Sequence, residues 1–192
     1  MRIFLAGATG VIGRHLIPVL LEAGHEVTGL TRSPERAAGL AASGVTPAVA
    51  DVYDLDALTA TVLASGPELV MHQLTDLPDD VGQLAAHRDR NARIRIEGTD
   101  NLLAAARAAG VARLVAQSIA WTPPGGSAAV EHLERVVLDA AGVVVRYGQL
   151  YGPGTFHPDE PPPPPRIAVD AAARRTLPAL TMPSGVLTIT ED

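Results

Sequence analysis

Three glycines spaced three residues apart, Gly7, Gly10 and Gly13, limit what the start of this chain can fold into. An apolar run over residues 2–6 precedes them, and a helical pattern of apolar residues follows. A buried parallel strand that turns sharply into a helix has this pattern. The first glycine permits the tight turn, the second lets a pyrophosphate approach the backbone, and the third lets helix and strand pack closely.

The exposed amides of such a turn and the positive end of the helix together form an anion site. A glycine turn that only packs is the alternative, and a strand before it and a helix after it favour a dinucleotide. The sequence therefore predicts cofactor contacts from Gly7, Thr9, Gly10, Val11, Ile12 and Gly13.

The end of the second predicted strand, residues 25–30, bears on which dinucleotide binds. In a fold of this kind an acidic residue there accepts hydrogen bonds from the ribose of NAD, whereas an arginine can pair with the extra phosphate of NADP. Arg32 therefore favours NADP, with NAD as the alternative and a solvated loop charge as the other interpretation. Asp51 and Val52, after the third predicted strand, are expected to contact the cofactor. Asp51 is expected at the adenine edge, although it can equally cap the next helix.

Strands and helices alternate along the chain, which predicts an α/β fold with a doubly wound parallel sheet in three layers, a Rossmann fold. A helical tract is expected over residues 81–109, and a fifth strand over residues 113–117 that delivers Ser118 at its carboxyl end. We expect a single domain over residues 1–192. It comprises a core of residues 1–154, a proline-rich strap of residues 155–166, and a terminal helix and strand in residues 167–192.

The amino-acid composition limits the kinds of partner that the protein is expected to bind. The chain has 15 Lys plus Arg against 21 Asp plus Glu, which argues against nucleic acid or an anionic membrane and favours small molecules. It has no cysteine, and its histidines show no metal-ligand spacing, so no metal site is expected. No apolar stretch approaches the roughly 20 residues that a membrane helix needs, and a cytoplasmic protein is the expectation.

With these stretches assembled, the chain resembles the extended and atypical short-chain dehydrogenases/reductases, the NAD-dependent epimerase/dehydratase group. The likeness lies in the glycine motif, in the strand end at residues 71–73, in Glu97-Gly98-Thr99, and in the run of residues 146–154 that contains Tyr-Gly-Pro-Gly. The resemblance implies a serine after the fifth strand, a position that Ser118 fits. It also implies a tyrosine followed four residues later by lysine, in which the lysine lowers the pKa of the proton-transferring tyrosine.

The tyrosine and the lysine are missing from this chain. Alignment through Glu134 puts Gly126 in place of the tyrosine and Val130 in place of the lysine, and lysine does not occur anywhere in the sequence. Arg95 stands where the family usually has an asparagine. The residues expected to carry catalysis are therefore Ser118, His72 and Tyr151. The alternatives are a turn cap for Ser118, an ordinary hydrogen-bonded histidine for His72, and packing on the sheet edge for Tyr151.

The resemblance implies an oxidoreductase or epimerase that acts on a small carbonyl or sugar-like substrate, with Ser118 polarising the oxygen and a nonstandard acid nearby. Two alternatives stay open, because the proton-transfer pair is missing. One is a nonredox cyclase, isomerase or dehydratase, and the other is an inactive module that senses NAD(P). Family members often pair through the helical regions that correspond to residues 81–109 and 128–140, so a homodimer is possible.

Overall fold

The computed structural model describes residues 1–123 and 127–191. Its main sheet has seven parallel strands in the order β3-β2-β1-β4-β5-β6-β9. The nine strands are β1 (Arg2–Ala6), β2 (Glu26–Thr31), β3 (Thr46–Val49), β4 (Leu69–His72), β5 (Leu114–Ile119), β6 (Val143–Tyr147), β7 (Gln149–Tyr151), β8 (Arg166–Ala168) and β9 (Gly185–Ile189). Strands β7 and β8 form a separate parallel pair. The predicted doubly wound sheet is confirmed.

Helices cover both faces of the main sheet. They are α1 (Val11–Glu22), α2 (Pro34–Ala42), α3 (Leu55–Ser65), α4 (Arg88–Arg93), α5 (Thr99–Ala108), α6 (Ala128–Asp139) and α7 (Val169–Arg175). Helix α1 packs against α7, while α5 packs against α3 and α6. None of the described helices is both long and apolar enough to cross a bilayer. The cytoplasmic location and the single-domain organisation stay predictions.

The first strand shows why the sequence produces this arrangement. Side chains alternate between the two faces of a strand, so a strand covered on both faces needs apolar residues at every position. Ile3 and Leu5 belong to one core cluster, and Phe4 and Ala6 belong to the other. The apolar run of β1 therefore contributes to both cores at once, as expected for an interior strand of the sheet.

The predicted helical tract of residues 81–109 is not one helix. It contains a short 3-10 turn (Val81–Gln83), then α4, then a π-helical turn (Ile94–Gly98) that leads directly into α5. The wider π-helical turn buries the adjacent side chains of Ile94 and Arg95. The fifth strand also runs further than predicted, so Ser118 lies within β5 rather than after it.

Candidate active site

A long cleft follows the carboxyl ends of the parallel strands. Ligands of open α/β sheets bind at this edge, where the strand order reverses on either side of β1. The cleft encloses about 2900 Å³, several times the roughly 300–1,000 Å³ of a pocket for one small molecule. It therefore has room for a dinucleotide together with a second ligand.

The glycine turn forms one wall of the cleft, and its geometry requires glycine at two positions. Gly7 has a φ of 95°, and a Cβ there would lie 2.5 Å from the carbonyl oxygen of Gln73. A Cβ on Gly13 would lie 2.1 Å from the carbonyl oxygen of Gly7. Helix α1 and the turn are thus in closer contact than any larger residue permits, which fits the roles of the first and third glycines.

The amino end of α1 provides an anion site beside this turn. Gly10 is the N-cap and gives no side-chain cap, and the first turn of the helix contains no acidic residue. The first amides of a helix lack partners within it, and the helix dipole makes this end positive. Thr9, Gly10, Val11 and Ile12 line the cleft here, so the residues fit the diphosphate of a dinucleotide.

Of the remaining residues predicted to contact the cofactor, Arg32 and Val52 line the cleft and Asp51 does not. Arg32 is exposed at the end of β2 and lines the cleft, as does Arg36. Val52 is buried and lines the cleft as well. Asp51 is not among the lining residues, and its carboxylate accepts a hydrogen bond from the amide of Tyr53 at 3.0 Å. Cofactor contact by these residues stays a prediction.

Ser118 lines the cleft and belongs to a hydrogen-bonded cluster with Glu134 and Arg146. Its hydroxyl donates to Glu134 Oε1 at 2.6 Å, and Arg146 binds both oxygens of the same carboxylate, with 2.8 Å between Nε and Oε1. Burial alone would raise the pKa of Glu134, but the hydrogen bonds from Arg146 and Ser118 and the charges of Arg146 and Arg95 lower it overall. Glu134 is therefore an ionised acceptor, and the hydroxyl proton of Ser118 is directed at it and not at the cleft.

His72, the second predicted catalytic residue, is fully buried at the end of β4 and does not line the cleft. Burial, aided by the charge of Arg95, lowers its pKa to about 3. Its Nδ1 accepts from the amide of Leu74 at 3.2 Å, so Nε2 carries the proton and donates to Thr99 Oγ1 at 3.0 Å. Thr99 in turn donates to the carbonyl oxygen of Arg95 at 2.6 Å. The structure thus gives His72 the hydrogen-bonded environment that was its alternative interpretation.

Tyr151, the third predicted catalytic residue, lies on β7 outside the cleft lining, and its hydroxyl donates to the carboxylate of Glu191 at 2.9 Å. Another tyrosine, Tyr147 on β6, does line the cleft. Burial raises its pKa to about 12, against a hydrogen bond with Thr176 that lowers it. Of the three predicted catalytic residues the structure therefore brings only Ser118 to the cleft, and catalysis by any of them stays a prediction.

The position aligned with the missing lysine is Val130, in the first turn of α6, where it lines the cleft. Gly126, aligned with the missing tyrosine, lies outside the described residues. The residues that the site prediction left out are Glu134, Arg146 and Arg95. The sequence contains a signal for Arg95 in particular, because an arginine lies between two isoleucines at a position where the family usually has asparagine.

A family model described as NAD(P)H-binding matches residues 7–141 of this chain. The chain belongs to this NAD(P)H-binding family. The match begins at the first glycine of the turn and runs through β5 to the end of α6. It therefore includes both the predicted diphosphate site and the Ser118 cluster. This confirms the predicted family and the NAD(P)-binding domain, without distinguishing NADP from NAD.

Among curated relatives, a 3-diazoavenalumate denitrifying reductase from Streptomyces sp is 45% identical over an alignment of 183 residues. The match covers 81% of this chain and 58% of that protein. A 3-beta-hydroxysteroid dehydrogenase from Mycolicibacterium neoaurum is 31% identical over 116 residues, which cover 59% of this chain and 31% of that protein. The chain thus spans less than two thirds of the length of these relatives.

Solved structures of epimerases share the fold. The UDP-glucose 4-epimerase of Thermus thermophilus in complex with NAD has a TM-score of 0.78 at 22% identity, and the match covers 99% of this chain and 78% of that one. The UDP-glucose 4-epimerase of Thermotoga maritima with UDP-glucose has a TM-score of 0.79 at 17% identity, with coverage of 99% and 77%. These structures show that the chain shares the fold of the epimerases, while the family model shows the NAD(P)-binding domain.

Proposed function

We propose that this protein is an NADPH-dependent reductase of a small electrophile to which it donates no proton. The observation that supports this is the state of the ionisable groups around Ser118. Glu134 is held as a carboxylate, and the pKa of Tyr147 on the neighbouring strand is raised to about 12. Val130 is apolar where the family has its lysine. None of these groups releases a proton near neutral pH.

A carbonyl substrate requires a proton for its oxygen as well as a hydride for its carbon. An acceptor that carries a diazonium group on carbon requires only the hydride. The C–N bond breaks with its electron pair going to nitrogen, N₂ leaves, and the new C–H bond holds the hydride pair. The reductase that is 45% identical to this chain is named for removal of nitrogen from a diazo compound, which supports this substrate class.

A bound nicotinamide coenzyme supplies the hydride in such a reaction. The residues of this chain that would hold its diphosphate are those of the glycine turn and the amino end of α1. Arg32, just after β2, and Arg36, in the first turn of α2, both line the cleft, and we propose that they pair with the extra phosphate of NADPH. Arg32→Asp should therefore lower the ratio of NADPH to NADH catalytic efficiency by about tenfold or more.

The reaction is tested by supplying NADPH with benzenediazonium or 4-carboxybenzenediazonium salts and subtracting the rate without protein. We expect one N₂ and one arene for each NADPH oxidised, with deuterium from 4-deuterated NADPH at the ring carbon. Gly13→Ala is the control, because it disrupts the glycine turn and should lower the rate at subsaturating NADPH by about tenfold or more. Equal rates for this variant and the wild type, or turnover of ketones and nucleotide sugars instead, would contradict the proposal.

Pairing of two copies belongs to the same proposal. The two regions expected at the interface are residues 81–109 and 128–140. Val81 and Ile96, in the first of these regions, are 55% and 39% exposed, so both apolar side chains are accessible to a second copy. Light scattering on the wild type should therefore give the mass of a dimer, and Val81→Glu combined with Ile96→Glu should give that of a monomer.

A further inference from the structure

Arg95 is a buried cation that faces the cleft without a hydrogen bond to its Nη1 atom. The residue is only 6% exposed, yet it is among those that line the cleft. Nη1 is buried and has no hydrogen-bond partner in the described part of the chain. Burying a guanidinium costs free energy unless it is paired. Nη1 therefore has an unsatisfied hydrogen-bond donor, which a ligand in the cleft can satisfy.

The charges around Arg95 do not balance. Glu134 is the carboxylate that attracts it, but both oxygens of Glu134 already accept hydrogen bonds from Arg146, and Oε1 also accepts one from Ser118. His72 is neutral and adds no charge. One carboxylate thus faces two guanidiniums, which leaves one positive charge in excess. Burial lowers the pKa of Arg95, and the attraction of Glu134 offsets only part of this effect.

The backbone of Arg95 is held firmly in place. Arg95 lies in the π-helical turn, a feature that is rare and frequent at functional sites. Its carbonyl oxygen accepts the hydrogen bond from Thr99, and Thr99 accepts from the buried ring of His72. A chain of buried hydrogen bonds therefore runs from His72, at the end of β4, to the backbone carbonyl of Arg95.

We propose that Arg95 binds a carboxylate group of the substrate in the cleft beside Ser118. One excess charge matches a monoanion, and a guanidinium matches the planar, bidentate geometry of a carboxylate. The diphosphate of the coenzyme has its own predicted site at the amino end of α1. This inference rests on the proposed function only in treating this part of the cleft as the substrate site, and it narrows the substrates to small carboxylic acids.

Calorimetry on the full chain saturated with NADP⁺ tests this without any turnover, so the result does not depend on the reductase reaction. The probes are benzoate, 4-hydroxycinnamate, their methyl esters, and inorganic phosphate. At least one acid should bind more tightly than its ester, and Arg95→Met should weaken the acid by about tenfold or more while leaving the ester unchanged. Arg95→Lys should retain part of the affinity. Arg107→Gln, at an exposed arginine of α5 outside the cleft, is the matched control.

Thermal unfolding distinguishes this role from a structural one. If Arg95 serves a ligand, Arg95→Met removes an unpaired buried charge and should unfold at the same temperature as the wild type or higher. The acid that binds should then raise the unfolding temperature of the wild type alone. The proposal is overturned if every acid binds no better than its ester, if phosphate alone shows Arg95-dependent binding, or if Arg95→Met is less stable but keeps its affinity for the acid.

Discussion

Protonation of His72 should make the protein sensitive to mild acid. The ring is fully buried and neutral in the folded state, where its pKa is about 3 against an ordinary value of 6.5. Below the ordinary value the unfolded chain takes up a proton that the folded chain does not, so stability falls as the pH falls. The contribution of His72 to the free energy of unfolding is complete above pH 6.5 and is lost progressively as the pH falls toward about 3. Linkage gives a loss of about 2 kcal/mol between about pH 7 and about pH 5.

The assay is urea unfolding of the wild type and of His72→Gln over that pH range. Asp and Glu of an unfolded chain titrate near about pH 4, so they contribute little here. The variant has its own baseline stability, but only the change with pH matters, and other groups cancel in the comparison. The wild type should lose about 2 kcal/mol more than the variant. His157→Gln, at a partly exposed histidine, controls for the loss of an imidazole in general.

Parallel pH profiles for the wild type and His72→Gln would refute this reasoning. They would mean that the folded protein accommodates a charged ring at position 72, either because water reaches it or because the hydrogen bonds to Leu74 and Thr99 rearrange. The chain of hydrogen bonds that holds Arg95 would then be loose as well.

Three further substitutions test the site. Glu134→Gln should lower the free energy of unfolding by about 2 kcal/mol, because it leaves Arg146 without its carboxylate, although Arg146 is 41% exposed and part of the effect is screened; denaturant unfolding measures this. Gly13→Ala should weaken NADPH binding about tenfold or more, measured by calorimetry, because its Cβ would displace the carbonyl of Gly7. Ser118→Ala should slow diazonium reduction by less than about fivefold, whereas a loss of about 100-fold would show that its hydroxyl stabilises charge on the substrate.

The sequence predicts the glycine turn well because most of the constraint is local. Gly7 needs a positive φ within the turn, and Gly13 is required by its contact with the carbonyl oxygen of Gly7. The close approach of Gly7 to Gln73, which follows β4, is the part that is not local. The alternation of strands and helices likewise limits the sheet to a few topologies. For this reason the fold class and the position of the anion site follow from the printed residues alone.

The Ser118 cluster could not be predicted in the same way. Glu134 contacts Ser118 and Arg146 across 16 and 12 residues of chain, and neither contact leaves a pattern in the sequence. The π-helical turn at Arg95 is equally hidden, because its first four residues have ordinary helical propensities and the packing of the buried Ile94 and Arg95 side chains distinguishes it. The sequence places His72 correctly at a strand end, but whether that strand end faces the cleft or the core depends on its neighbours.

Two departures from the family pattern explain each other when they are considered together. The lysine that the resemblance implies is replaced by Val130, and the asparagine is replaced by Arg95, so a cation is lost from α6 and another is gained in the π-helical turn. An ammonium group acidifies a neighbouring tyrosine by favouring its charged form. A guanidinium keeps its proton and binds planar anions. With no tyrosine at the family's position, a cation near the cleft serves the recognition of an acid better than the transfer of a proton, which is the division of roles that the proposed reductase requires.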